Sequence, residues 1–208
     1  MNASDKLVEL FMRFPGIGPK QAKRFVYFLL REHFHFKEQL IKALEELKFT
    51  GKQCDSCFRF FGDNNLRNDK TKCVICDTES RDKNVLMIVE KELDLDAIEK
   101  TGSYNGMYFI LGGLLPPLTD KPSEIIRIRE LVSRVHSDIE SKKISEIIFA
   151  LPVTDYGDNT KEYVENTLAQ IVGIKDVKMS SLARGLSSGL ELEYVDRDTF
   201  KSAFERRD

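Results

Sequence analysis

Two Cys-x2-Cys pairs, Cys54 with Cys57 and Cys73 with Cys76, stand fifteen residues apart and restrict what this chain can fold into more than any other feature. All four cysteines of the 208-residue chain lie within that stretch. The spacing falls in the range of two thiolate knuckles that close one tetrahedral zinc site. A two-residue gap lets a tight turn aim both sulfurs at one ion, and four protein ligands leave no open coordination position, so a zinc ion held there is structural. Four unrelated reduced thiols are the plain alternative; a redox pair leaves the second pair unexplained. With the thiol set complete, His33, His35 and His136 read as solvated or core histidines. Phe58 to Phe61 reads as a strand that runs into Gly62-Asp63-Asn64-Asn65, giving a hairpin between the pairs.

The compartment follows from the same cysteines. The chain opens Met1-Asn2-Ala3-Ser4-Asp5, without a basic-then-apolar leader, and clustered thiols in an unsecreted chain suit a metal better than disulfides. Its longest apolar run, Phe25 to Leu30, is far short of the ~20 residues of a membrane span. A soluble cytoplasmic protein with no membrane partner is expected.

Charge divides the chain into segments. Residues 1–50 carry 9 basic and 6 acidic groups, 51–83 carry 7 and 6, and the remainder 16 and 22, for −2 overall. That balance excludes a uniformly basic nucleic-acid coat and a disordered polyelectrolyte, so any nucleic-acid site is local, near the +3 end. Ten of the fourteen phenylalanines precede residue 62, where small modules need large side chains to fill their cores. Module boundaries near residues 50 and 83 follow.

In the first segment Leu7, Leu10, Phe11 and Phe14 recur at helical spacing, with Ser4 placed to cap and Pro15 to stop the helix. Pro19 suits the first turn of a second helix carrying Ala22, Phe25, Val26, Leu29 and Leu30 on one face, and Phe36, Leu40, Leu44 and Leu47 mark a third. Gly16-Ile17-Gly18 joins the first two helices, with Ile17 as the anchor of the bend. Its glycines permit a close approach that a Cβ would obstruct, and the start of the second helix offers amide donors and a positive dipole end to a phosphate oxygen. Lys20, Lys23 and Arg24 share one helix face beside this hairpin. Gly16, Ile17, Gly18, Lys20, Lys23 and Arg24 are therefore the candidate DNA-binding residues. Because amides and phosphate-seeking cations do not read bases, binding is expected to be independent of sequence. The competing reading is a simple turn followed by a solvated helix face.

After residue 83 the texture changes. Val85–Val89, Tyr108–Leu111, Ile147–Ala150 and Val177–Met179 read as strands between helical stretches, a mostly parallel sheet covered on both faces. The fold class is thus α/β in several modules. Glu90 follows the first of these strands, and Asp155 and Asp158 follow the third, at the sheet edge where open α/β folds place ligands. Glu90 with Asp158 is a candidate Mg²⁺ site for strand chemistry. The alternative is that such acids stabilise the first turn of the next helix, as Glu92 and Asp94 are placed to do.

The order of these parts resembles the bacterial RecR family of recombination mediators over nearly the whole chain. The matching residues are Phe14-Pro15-Gly16-Ile17-Gly18-Pro19-Lys20 with Arg24, the two Cys-x2-Cys pairs, Val89-Glu90, Leu111-Gly112-Gly113, Ala183-Arg184-Gly185-Leu186 and Leu192-Glu193-Tyr194 with Asp196. The resemblance implies a helix-hairpin-helix over 1–50, a four-cysteine zinc finger over 51–83, a Toprim domain over 84–200 used for binding rather than cleavage, and a C-terminal tail, 201–208. It implies no catalytic residue, a ring-shaped homotetramer that encircles DNA in the nucleoid, and partnership with RecO-like and RecF-like proteins in loading RecA on gapped or single-stranded DNA. By the same resemblance Lys20 and Arg24 contact DNA, and Cys54, Cys57, Cys73 and Cys76 hold zinc. The alternative from the acidic loops is a Mg²⁺-dependent Toprim nuclease or strand-transfer enzyme. The chain departs from the family at Tyr156-Gly157-Asp158, which keeps only the second of two acids flanking a glycine, and at Pro116-Pro117, where the family has Ser-Pro.

Overall fold

The computed structural model describes residues 2–62, 71–183 and 197–205. They fall into two compact units, one formed by residues up to Gly51 together with Gly62, the other by Lys52–Phe61 and the described residues from Thr71 onward.

The first unit is helical, with α1 (Ala3–Phe11), α2 (Pro19–Arg31) and α3 (Phe34–Thr50). Asn2, not Ser4, is the cap of α1: its side chain accepts the Asp5 amide at 2.8 Å, and Asp5 returns the bond to the Asn2 amide. Both residue types cap well, and the reciprocal bond with Asp5 favours the earlier start. The helix stops at Phe11 rather than at Pro15. Arg13 and Phe14 tighten into three-residue turns on Leu10 and Phe11, because the residue before a proline is driven out of helical geometry. Pro19 occupies the first turn of α2 as expected. Phe11 meets Phe25 edge-on at 5.6 Å between centroids, and Phe28 meets Phe36 at 5.8 Å. Ala22 and Val26 form the buried side of α2.

β1 (Gly51–Gln53) pairs with β2 (Phe60–Gly62), and α4 (Val74–Asp77) carries Cys76 with Cys73 as its N-cap. The hairpin therefore closes around the first pair instead of lying between the pairs. Phe58 is not in a strand: it takes a left-handed φ of 65° and donates its amide to the Cys54 carbonyl at 2.9 Å. Residues 63–65 of the expected turn lie outside the described residues.

There follow β3 (Asp82–Val89), α5 (Glu92–Thr101), β4 (Gly106–Ile110), α6 (Pro122–Ile125), α7 (Ile128–Glu140), β5 (Glu146–Ala150), α8 (Asp155–Leu168), β6 (Lys178–Ser181) and α9 (Arg197–Glu205). α9 crosses the boundary drawn at residue 200. The four strands form one parallel sheet in the order β4-β3-β5-β6, at the four places where the apolar runs predict strands. β4 is buried along its whole length, which explains an unbroken apolar run without alternation. The chain steps from β3 to β4 in one direction and from β4 to β5 and β6 in the other. Right-handed crossovers then put α5 on one face and α7 and α8 on the other, and α7 does pack on α8. This reversal makes the C-terminal ends of β3 and β5 the switch point of the sheet. Among the described residues no helix is long and apolar enough to cross a membrane.

Candidate functional site

The four thiols converge. Their sulfurs lie within 4.8 Å of one another, and all four residues are buried and unbridged. The Sγ atoms of Cys57 and Cys73 are 3.6 Å apart; a tetrahedron with sulfurs about 2.3 Å from a central ion has edges of about 3.8 Å. Four soft donors at that separation fit a tetrahedral metal ion. Hydrogen bonding to Cys57 and the other thiols drives Cys54 below the ordinary thiol range, and Cys54 with the other thiols, together with burial, pushes Cys57 above it. The Cys54 thiol raises Cys73 while Cys57 and Cys76 lower it, leaving it at about 7; Cys76 is held above the ordinary range, chiefly by Cys54. Four buried protons cannot all be accommodated equally in so small a space, and a cation replacing them removes the conflict.

The first knuckle is held by the sheet rather than by its own short hairpin alone. The Phe58 ring lies 5.3 Å from the Phe109 ring, and the Arg127 guanidinium carbon lies 5.5 Å from the Phe58 ring centroid. Packing of this kind is what retains a bulky side chain at positive φ. Arg59 pairs with Asp96 at 2.6 Å, and Arg134 donates to the Ser56 carbonyl at 3.1 Å and to its hydroxyl. Sequence reasoning missed Arg59, Arg127 and Arg134. No local signal marks their hold on the knuckle, since Asp96 is far from Arg59 in sequence, Phe58 from Arg127 and Ser56 from Arg134.

At the hairpin, Gly16 takes φ 76°, the left-handed geometry that favours glycine there. No atom of the described residues lies within 4 Å of a Cβ built on Gly16 or Gly18, so none of them makes the close approach that the sequence suggests, and the space beside both residues is open to that extent. Gly18 is the N-cap of α2 and supplies no side-chain hydrogen bond, which leaves first-turn amides available. Ile17 is half-buried, with its amide on the Phe14 carbonyl at 3.1 Å. Lys20, Lys23 and Arg24 are exposed, and none is in an ion pair with the described residues. The hairpin and the first turns of α2 thus place open amides beside three uncompensated cations.

The acidic loops lie at the switch point. Glu90 follows β3, its Oε2 3.8 Å from Lys91 Nζ, and its carbonyl accepts the Gly112 amide at 2.8 Å. A Cβ on Gly112, which has φ 89°, would strike the Arg127 guanidinium, so the Leu111-Gly112-Gly113 match has a packing reason. Asp155 and Asp158 lie in the first turn of α8, where Thr154 Oγ1 accepts the Gly157 amide at 3.2 Å. Asp158 lines a cleft of about 250 Å³ with Lys161 and Ser181, to which Glu90 does not contribute. Asp94 caps the Lys91 amide at the start of α5 at 3.2 Å, the helix-stabilising role expected of it. Among the described residues the thiols are the one cluster of three or more ligating groups. His33 and His35 are exposed or nearly so, and His136 lies 3.6 Å from Glu140, so all three are solvated rather than core histidines. Apart from Ala183, the matches at 183–186 and 192–196 fall outside the described residues.

Comparison with known proteins covers the same parts. A family model for the helix-hairpin-helix of RecR matches residues 4–48, and one for the Toprim domain matches residues 84–182. The chain is 36% identical over 205 residues to the recombination protein RecR of Chlorobium phaeobacteroides, covering 99% of this chain and 96% of that one. It is 38% identical over 202 residues to the protein of the same name from a Synechococcus strain, covering 97% and 95%.

Proposed function

We propose, from the premise that this chain belongs to the RecR family of recombination proteins, that it acts in recombinational DNA repair as a non-enzymatic DNA clamp. The observation that carries this reading is the hairpin: open space at Gly16 and Gly18 beside the exposed Lys20, Lys23 and Arg24. Amides at the start of α2 take a phosphate oxygen, and the three cations neutralise its neighbours. Zinc is the ion at Cys54, Cys57, Cys73 and Cys76, one per chain, and its role is structural because no coordination position is left open. The acidic C-terminal part, 16 basic against 22 acidic groups, repels naked DNA and steers basic surfaces of RecO-like and RecF-like partners. Together they load RecA on gapped or single-stranded DNA at the nucleoid.

Self-assembly into a tetrameric ring is part of this reading. Tyr27, Phe28, Leu30, Phe34, Ile41 and Leu47 on α2 and α3 are each at least half exposed. Large apolar side chains in such density on two short helices mark a protein contact surface. Solution mass with and without a DNA circle tests assembly and encirclement together.

The test of the DNA contact is a Lys20→Ala/Arg24→Ala variant, assayed on unrelated duplex sequences over a range of salt. Binding is expected to weaken alike for all sequences, with the salt slope reduced by about 0.9 per lost duplex phosphate contact. Unchanged affinity and slope in the folded variant would overturn the assignment. So would DNA cleavage in Mg²⁺ that Glu90→Ala abolishes, which would transfer the function to the acidic loops at Glu90 and Asp158.

A further inference from the structure

We propose that the cleft between the two thiol knuckles and the C-terminal half of α7 is a second phosphate site, occupied by the backbone of a bound polynucleotide. This rests on the DNA-binding reading above but uses none of the hairpin residues. The cleft measures about 360 Å³. Four cations line it, Lys72, Lys83, Arg134 and Lys143, against two carboxylates, Asp55 and Asp138. Asp138 is already engaged, its Oδ2 2.5 Å from Arg134 Nε. That contact and the Arg134 bonds to Ser56 fix the guanidinium in place, and its Nη2 has no partner among the described residues. Lys72, Lys83 and Lys143 are exposed and likewise without a carboxylate partner there.

The location sharpens the argument. Lys83 is near the start of β3, Met107 near the start of β4, and Lys143 shortly before β5. The cleft therefore opens at the N-terminal end of the parallel sheet, opposite the switch point with Glu90 and Asp158. There three lysines without a carboxylate partner among the described residues surround a concave surface with one prefixed guanidinium. One free Nη2 donor on a fixed guanidinium, flanked by mobile Lys ammoniums, can hold a phosphate oxygen without reading a base.

The experiment uses the full chain with Lys83→Ala/Lys143→Ala, two exposed lysines away from the thiol ligands, and a fluorescent dT oligomer titrated at several salt concentrations. Affinity at low salt is expected to fall at least fivefold, and the slope of log affinity against log salt to drop by about 1.4, from two single-strand contacts at about 0.7 each. Lys83→Arg/Lys143→Arg is expected to restore both. Unchanged affinity and slope, with binding still weakened by Lys20→Ala/Arg24→Ala, overturns the cleft and leaves the hairpin reading standing. No binding by the unaltered chain overturns both. A parallel titration with inorganic tripolyphosphate separates the sources: binding lost in the Ala variant while the oligomer is unaffected assigns the cleft to free phosphate and overturns the backbone as its occupant.

Discussion

The carbonyl of Cys57 accepts the amide of Ile110 at 3.0 Å, on the side of β4 that faces no strand of the sheet. The next amide, Leu111, turns inward to Val89 at 2.9 Å. The thiol knuckle thus occupies a hydrogen-bonding position on the outer edge of the sheet and covers it, a place that otherwise invites pairing with another chain. Metal removal is expected to loosen the knuckles and uncover this edge together. With a chelator, hydrogen exchange at the Ile110 amide should quicken at least tenfold. Cys54→Ser should lose the metal and about 3 kcal/mol or more, lowering Tm by about 6–12 °C for a domain of this size. Retained metal and an unchanged melt in Cys54→Ser would remove the thiol site from the account.

Gly157 sits where a Cβ would fall well inside contact distance of the Pro152 carbonyl oxygen. The obstacle is backbone, so relief requires moving the β5–α8 turn or the start of α8. Gly157→Ala should cost about 2–4 kcal/mol in urea unfolding. A Gly102→Ala change at a position with open space but φ 63° should cost only about 1 kcal/mol from backbone strain. Equal losses in the two variants would show that the turn yields, contrary to the close packing described.

What the sequence made legible here was short-range or continuous. The sulfur spacing, the four apolar runs and the Pro19 start of α2 each express a local rule, and each appears where that rule puts it. Asn2 displaced Ser4 because both obey the same capping chemistry, and the choice rests on Asp5 returning a bond. Phe58 left its expected strand because its conformation answers to Phe109 and Arg127. The anchor between Arg134 and Ser56 spans 78 positions in sequence, beyond any periodicity. The same reason hid the basic cleft, whose four cations are unremarkable singly and acquire meaning only when α7 folds onto the knuckles.

Leu30 and Phe34 are 60% and 73% exposed, too apolar for a solvated helix end and too open for a core. Leu30→Glu with Phe34→Glu should preserve helix content and reduce the solution mass by at least half. The fold of one chain loses no buried contact in that variant, whereas an apolar contact surface between chains gains two desolvated charges. An unchanged mass would remove this surface from the proposed assembly.

Stability at low pH should turn on Glu99. Burial by itself would raise this carboxyl, but hydrogen bonds from the Arg81 guanidinium and the Tyr108 hydroxyl outweigh burial and hold it below its ordinary 4.5. Arg81 Nη1 donates to Oε1 at 3.0 Å and Nη2 to Oε2, while Tyr108 donates to Oε1 at 2.7 Å. A carboxyl with a depressed folded pKa binds fewer protons folded than unfolded. Its contribution is therefore complete above about pH 4.5 and disappears as pH falls through the folded value. Glu99→Gln should cost about 1–3 kcal/mol at pH 7, the scale of hydrogen bonds to a charged partner, and the gap to the unaltered chain should close on acidification below that point. Urea unfolding at pH 7 and pH 3 measures both ends of the window. A gap that stays constant between them would mean that Glu99 acts by shape and hydrogen bonding alone, with its charge contributing nothing to the union of α5, β4 and Arg81, the residue before β3.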